Sequence, residues 1–200
     1  MYQNKIGVIG TIITFIKKYN MIQFTPFPIL ETDRLVLRSV DKNDVNEIFA
    51  LRSDAEIMKF IPRPLVKNME EALEHIASIA AKIKTNEGIN WAITLKGNPK
   101  LIGIIGHYKI KPEHFRSEIG YMLSPEFNGK GIISEAVSRV IAYGFQEMKL
   151  HSIEAIIDPE NIASARVLEK NNFIKEAHLK ENEFYDGRFL DTVIYSLLNN

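Results

Sequence analysis

The 200-residue chain contains no cysteine. Disulfides, thiolate metal sites and a cysteine nucleophile are excluded together. Net charge is absent too, with 25 Lys+Arg against 25 Asp+Glu. No basic excess points to nucleic acid, and no acidic tail is present. The five histidines, His75, His107, His114, His151 and His178, include no i,i+4 pair with interleaved carboxylates, so no metal is expected. They read as structural or solvated, with His107 alone placed where it could line an acceptor pocket. Long hydrophobic runs are also missing. The stretch Ile6 to Ile16, apolar apart from Thr11 and Thr14, falls short of the about 20 residues that a spanning helix takes. Lys5 precedes it, but no Ala-x-Ala-like cleavage site follows. Residues 1–28 therefore read as an atypical extension, with Met21 an alternative start and one domain over 29–200. A membrane-touching helix is the less favoured reading of that extension.

What is present is a globular composition, 46% hydrophobic and 25% charged, without repeats or low-complexity segments. A cytoplasmic single-domain protein is the simplest fit. Arg34 to Arg38 reads as a first strand, and Asp41 as the N-cap of a helix carrying Val45, Ile48, Phe49 and Leu51. The run Ile61-Pro-Arg-Pro64 breaks regular structure, and Asn68 caps a second helix whose apolar face is Leu73, Ile76, Ala77, Ala80 and Ile83. Ile89–Leu95, Leu101–Lys111 and Arg116–Leu123 follow as strands of an antiparallel meander, turned at Gly97-Asn98-Pro99 and at residues 111–114. A helix from Ile132, a strand Ser152–Ile157, a helix from Asp158 or Asn161 to Asn171, and strands Phe173–Leu179 and Phe189–Leu198 complete the chain. The fold class is α/β, a mixed and largely antiparallel central sheet flanked by helices, not a doubly wound one.

The most informative stretch runs from Glu118 to Ala136. A strand ends near Leu123, Pro125 interrupts its ladder, and Asn128-Gly-Lys-Gly131 leads directly into the helix at Ile132. Backbone N–H groups at a helix start lack intrahelical partners and sit at the positive end of the macrodipole. Asn128, Gly129, Lys130, Gly131, Ile132, Ile133 and Ser134 thus read as a phosphate cradle, the glycines permitting close approach and Lys130 adding a charge. A plain turn is the alternative. Ser134 stands where a dinucleotide fingerprint needs glycine, and Gly131 follows Lys130 where a P-loop needs Ser or Thr.

The run Pro125-Glu-Phe-Asn-Gly-Lys-Gly-Ile-Ile-Ser-Glu-Ala136 resembles the pyrophosphate-binding motif of the GNAT superfamily of acetyl-CoA-dependent N-acetyltransferases. Glu160-Asn-Ile-Ala-Ser-Ala-Arg-Val-Leu-Glu-Lys-Asn-Asn-Phe173 resembles the segment beside that family's cofactor. Glu31 to Arg38 and Asp186 to Tyr195 are similar to the RimJ/RimL branch, which acetylates protein N-termini. Together the blocks cover about residues 29 to 198, in the family's order.

The resemblance implies acetyl-CoA as co-substrate, a sheet splayed at its site, and direct transfer to an amine in a ternary complex. Met122 and Leu123 would pair with the pantetheine arm, and Pro125 would help splay their strand. Asn161 would contact the pantetheine or thiol side, or simply cap its helix. Ser164 would sit near the sulfur and protonate the leaving thiolate, or lie on the helix surface. Glu118 is the candidate base, weighed against a strand carboxylate paired with Arg116 or Lys109. Three positions depart from the pattern: Glu126 for Gln or Arg, Leu168 for the usual acid tyrosine, and Asn172 for a glycine before Phe173. The expected acceptor is a protein N-terminal α-amine of ribosomal-protein type. Small amines (polyamines, amino acids, aminoglycosides) are alternatives, and a homodimer is left open. A non-catalytic acyl-CoA sensor, suggested by Leu168, is the rival class.

Overall fold

The computed structural model describes residues 22–199. Expectations for the run Ile6 to Ile16 and for a start at Met21 fall outside that range. An eight-stranded sheet has the order β1-β2-β3-β4-β5-β6-β8-β7, antiparallel throughout except between β5 and β6. The strands are β1 Leu30–Glu31, β2 Leu35–Ser39, β3 Ile89–Leu95, β4 Asn98–Lys111, β5 Arg116–Leu123, β6 Ser152–Ile157, β7 Ile174–Tyr185 and β8 Arg188–Leu198. Helices α1 Val45–Ser53, α2 Ala55–Met58 and α3 Met69–Lys84 lie between β2 and β3. Helix α4, Ile132–Gln146, joins β5 to β6, and α5, Ile162–Lys170, joins β6 to β7.

Local chemistry sets most boundaries. Asp41 forms a capping box with Asp44 on a short 3-10 turn, Lys42–Asp44, from which α1 continues. Asp44 is clamped in turn by both terminal nitrogens of Arg38, at 2.8 and 2.6 Å. Asn68 caps α3 by accepting from Glu71 N–H. The first meander turn is Lys96-Gly97, with Leu95 opposite Asn98, one residue earlier than the sequence suggests. Gly97 (φ 80°) is what lets so tight a turn close there. Asp186-Gly187, both left-handed, closes the β7–β8 hairpin.

The sheet's two faces carry separate cores. Trp91, Ile93, Ile105, Ile119 and the inner face of α4 form one, while Ala92, Ile104 and Met122 pack with Ile48, Leu51, Ala72 and Ile76 in the other. Helix α3 buries Ala72, Ile76 and Ile79, and leaves Leu73, Ala77 and Ala80 exposed. The expected apolar face is therefore rotated by about one residue, or 100°, because tertiary packing chose between two overlapping stripes. The lead-in at 22–28 is packed against the domain: Phe24 is buried and its N–H donates to Asn86 Oδ1, while Trp91 Nε1–H donates to Pro28 O.

Candidate active site

Pairing between β5 and β6 stops at Glu118↔Glu154, although β5 runs on to Leu123 and β6 to Ile157. The closed end is held by Arg116, which donates to Glu154 at 2.8 Å. Beyond it the strands part, and Tyr121 O–H reaches across to Ser164 O at 3.4 Å. The splay thus begins well upstream of Pro125, which instead opens a 3-10 turn, Pro125–Phe127. One edge of β5 is left without a strand partner. A Cβ on Gly103 would lie 2.4 Å from Met122 O, so that carbonyl points toward β4. In a trans peptide the N–H of Leu123 then points the opposite way, to the open edge. Of the pair Met122 and Leu123, only Leu123 offers its donor there; the Met122 side chain is buried in the α1–α3 core.

The open edge leads to the cradle. Gly129 (φ 72°) and Gly131 (φ 75°) both need the left-handed region, and no atom lies within 4 Å of where a Gly129 Cβ would stand. Gly131 is the N-cap of α4 and brings no side-chain cap. The N–H groups of Ile132, Ile133 and Ser134 therefore have no partner within the helix and remain available to an anion. Lys130 Nζ lies 5.4 Å from the Phe127 ring centroid, stacked over an aromatic face. Asn128 closes the 3-10 turn through its N–H to Pro125 O.

A brace that the sequence did not disclose fixes this loop. Glu135, in the first turn of α4, accepts from Thr32 Oγ1 at 2.5 Å, from Arg34 N–H at 3.0 Å and from Arg34 Nε at 2.6 Å. Arg34 Nη1 also donates to Lys130 O. Burial pushes the Glu135 carboxyl up, but the Thr32 and Arg34 hydrogen bonds outweigh it and hold it below its ordinary value.

At the vertex stands Glu118, directly opposite Tyr108 on β4. Its side chain is 18% exposed, and Lys109 Nζ sits 2.7 Å from Oε2. The approach is off the directions of a hydrogen bond, so that buried oxygen has ion-pair contact but no directed donor. Lys109 (φ 43°) lies at the β4 bulge, and Arg116 is engaged with Glu154 instead. Beside Glu118, the Tyr108 hydroxyl is bonded to Asn90 Nδ2. Burial drives the Tyr108 phenol up to about 12, so it stays protonated.

On α5, Asn161 Oδ1 caps the helix by accepting from Ser164 N–H. That occupies its oxygen and leaves the amide nitrogen for other contacts. Ser164 is half-buried across the splay from Tyr121. Burial raises Tyr121 to about 12, the Ser164 bond opposing, so toward a thiolate it is a hydrogen-bond donor before it is an acid. Leu168 is fully buried in the core. Asn172 adopts φ 65°, and the bonds Phe173 N–H to Leu168 O and Asn172 N–H to Glu169 O terminate α5 in a Schellman motif. Asn171 Nδ2 donates to Ser134 Oγ, tying α5 to α4.

His107 does not line an acceptor pocket. It is fully buried on the opposite face from Glu118, its Nε2 donating to Val140 O and its Nδ1 accepting from Ser117 Oγ, the roles assigned from this network. Burial lowers it to about 4, leaving it neutral. Trp91 is likewise core. A cavity of about 480 Å³ between the lead-in and α4, lined by Ile22, Pro28, Arg139 and Tyr143, includes neither Glu118 nor the glycine loop.

The profile of the acetyltransferase (GNAT) domain matches residues 34–174. The uncharacterized N-acetyltransferase YoaA of Bacillus subtilis is 38% identical over 172 residues, 86% of this chain and 97% of the relative. A spermidine N(1)-acetyltransferase of Vibrio cholerae is 25% identical over 79% of this chain and 89% of its own. Among solved structures, a GNAT-family acetyltransferase from Bacillus anthracis superposes with TM-score 0.76 at 32% identity, covering 86% of this chain and 98% of that one. RimL, a ribosomal L7/L12 α-N-protein acetyltransferase solved with coenzyme A, superposes with TM-score 0.78 at 22% identity, over 86% of this chain and 98% of its own. With the domain profile spanning residues 34–174, and a relative 38% identical across nearly its whole length, the chain belongs to the GNAT family of N-acetyltransferases.

Proposed function

We propose that the protein moves an acetyl group from acetyl-CoA to a primary amine, with a protein N-terminal α-amine as the favoured acceptor. The observation that carries this reading is the single vertex at Glu118, where strand pairing ends. It combines a carboxylate, an open β edge and, at the end of that edge, a glycine cradle. The residues fit acetyl-CoA: the space beside Gly129 is open, and the first N–H groups of α4 have no side-chain cap. When bound, acetyl-CoA supplies an acyl group on a good leaving group, since a thiol has pKa about 8.5.

The chain's own residues divide the remaining work. The backbone of Asn128 to Ser134, with Lys130, would hold the pyrophosphate. The Leu123 N–H at the open edge would receive the pantetheine arm or polarise the thioester carbonyl. Glu118 would take the proton from the bound ammonium, directly or through one water, after Lys109 moves aside, leaving the neutral amine to attack. Asn161 through its amide nitrogen, and Ser164 with Tyr121 across the splay, would line the sulfur side. An α-amine titrates near 7.7–8.0, so one weak base suffices.

Release of free thiol from acetyl-CoA, with N-terminal peptides, polyamines and aminoglycosides offered in parallel, tests the reading. Turnover with one acceptor class and its loss in Glu118→Gln support it. Saturable acetyl-CoA binding without turnover on any acceptor favours the sensor reading, which the Lys109 contact over Glu118 and the core position of Leu168 would then explain.

A further inference from the structure

Among the described residues, four buried side-chain atoms lack a hydrogen-bond partner: Arg52 Nε, His75 Nε2, Arg116 Nε and Glu118 Oε2. Such atoms are scarce in folded proteins, and each asks for a physical explanation. Arg116 is accounted for by Glu154. The other three belong to one place, the sheet face covered by α1 and α3. Glu118 projects from β5 opposite Tyr108, Arg52 comes from the last turn of α1, and His75 from the buried side of α3.

Among the described residues, Arg52 and Arg116 are the arginines with a buried, unpartnered Nε, and of the two only Arg116 has a carboxylate, at 2.8 Å. Arg52 has no acidic partner among the described residues; its one side-chain contact is Nη1 to Met58 Sδ at 3.5 Å. A half-buried guanidinium without a counter-ion is costly, and this one also has Arg63 near it. Burial first, and Arg63 in addition, pull its pKa down, while Tyr108 and Tyr185 oppose. His75 cannot serve as its counter-charge: burial, then Arg52 and Lys82, lower it to about 4, so it is neutral. Tyr108, the cross-strand neighbour of Glu118, lies within electrostatic reach of both Arg52 and Glu118, so the three share one neighbourhood. With Nη1 against Met58, the Nε–Nη2 edge remains, a fork that matches a carboxylate.

Building on the acetyltransferase reading, we propose that the acceptor is a dipolar amine: its ammonium is received at Glu118 and its carboxylate at Arg52, on the face that Tyr108 shares with both. The carboxylate can belong to a free amino acid or to an acidic first residue of a polypeptide. A polyamine would bring a second cation against Arg52 and Arg63, and is disfavoured.

Calorimetric binding to the full-length protein tests this, with turnover in the presence of acetyl-CoA measured alongside. Four probes separate the sources: glutamine (α-carboxylate only), a Glu-initiated peptide amide (side-chain carboxylate only), the matching Gln-initiated peptide amide (neither) and spermidine. At least one carboxylate-bearing probe should bind about tenfold or more tighter than the Gln-initiated amide and spermidine. Arg52→Gln should abolish that preference with acetyl-CoA affinity retained, and Arg52→Lys should restore part of it. Because Arg52→Gln removes an unpaired buried charge, its thermal unfolding should occur no lower than that of the parent protein. Equal binding of all four probes, tighter binding of spermidine, or a preference that survives Arg52→Gln would overturn the inference. Binding preference without any turnover would instead contradict the transferase reading and leave the receptor standing.

Discussion

Glu118 combines two properties: an oxygen out of solvent with no directed donor, and a cation at contact distance. An incoming ammonium can replace the Lys109 ammonium without leaving the carboxylate unpaired. Glu118→Gln keeps the shape and removes the basicity, so kcat should fall about 10²–10⁴-fold with acetyl-CoA affinity unchanged. A variant that loses both together would indicate a structural role. At the same scale His107 predicts an acid sensitivity with a definite window. The unfolded imidazole titrates near 6.5 and the folded one at about 4. As pH falls between those values the unfolded state takes up a proton that the folded state refuses, so stability present above about 6.5 is lost progressively. Between about pH 7.5 and pH 5.5 the two values imply a loss on the order of 1 kcal/mol from this residue alone. Urea unfolding at the two pH values measures it, and His107→Gln should flatten the difference by that amount.

At the scale of elements, the start of α4 depends on residues about a hundred positions earlier in the chain. The Thr32 and Arg34 bonds to Glu135, with Arg34 to Lys130 O, orient the glycine loop from the β1–β2 connection. Glu135→Ala should therefore weaken coenzyme A binding several-fold while touching no group assigned to the ligand. Gly129→Ala should act on the same site by another route. Its φ of 72° costs a non-glycine residue about 1–2 kcal/mol, and the new methyl enters otherwise open space in the cradle. Fluorescence or calorimetric titration with coenzyme A should show about tenfold or greater weakening, against a small fall in melting temperature. Unchanged affinity in both variants would remove the cradle assignment. Within the block from Glu31 to Arg38, Thr32 and Arg34 position the loop, while Leu35 and Leu37 are core strand.

Across the whole molecule, the elements that a short-range pattern can specify were legible, and those that need a partner were not. Strand β6 and the meander strands β3 and β5 stand where alternation and turn residues put them. Strand β4 begins three residues earlier than its apolar run, because the tight Lys96-Gly97 turn pairs Asn98 at once. The capping residues Asn68 and Asn161 also act as read, while Asp41 caps the 3-10 turn ahead of α1 rather than α1 itself. The inner face of α3 was misread because Leu73, Ala77 and Ala80 form an alternative stripe that only the neighbouring sheet disfavours. Within the proposed site, the glycine loop and Glu118 are read from local chemistry. The Glu135 brace and the Arg52–His75–Tyr108 face are not, since each is assembled from elements far apart in sequence. The sheet itself offers a test at this scale. A Cβ at Gly106 would lie 2.3 Å from Ile89 O, where the central strands meet. Gly106→Ala should abolish cooperative unfolding or soluble expression, whereas Gly187→Ala, in open space at a hairpin tip, should leave the fold intact.

The most direct measurement is thiol release from acetyl-CoA by the full chain and by Glu118→Gln, with peptides bearing a free N-terminus as acceptor. The account predicts acceptor-dependent release that is lost in Glu118→Gln, with equal acetyl-CoA affinity in both proteins. Release that persists undiminished in Glu118→Gln would contradict the assignment of the base. A protein that fails to bind acetyl-CoA at all would contradict the open-edge and glycine-cradle site from which the function is argued.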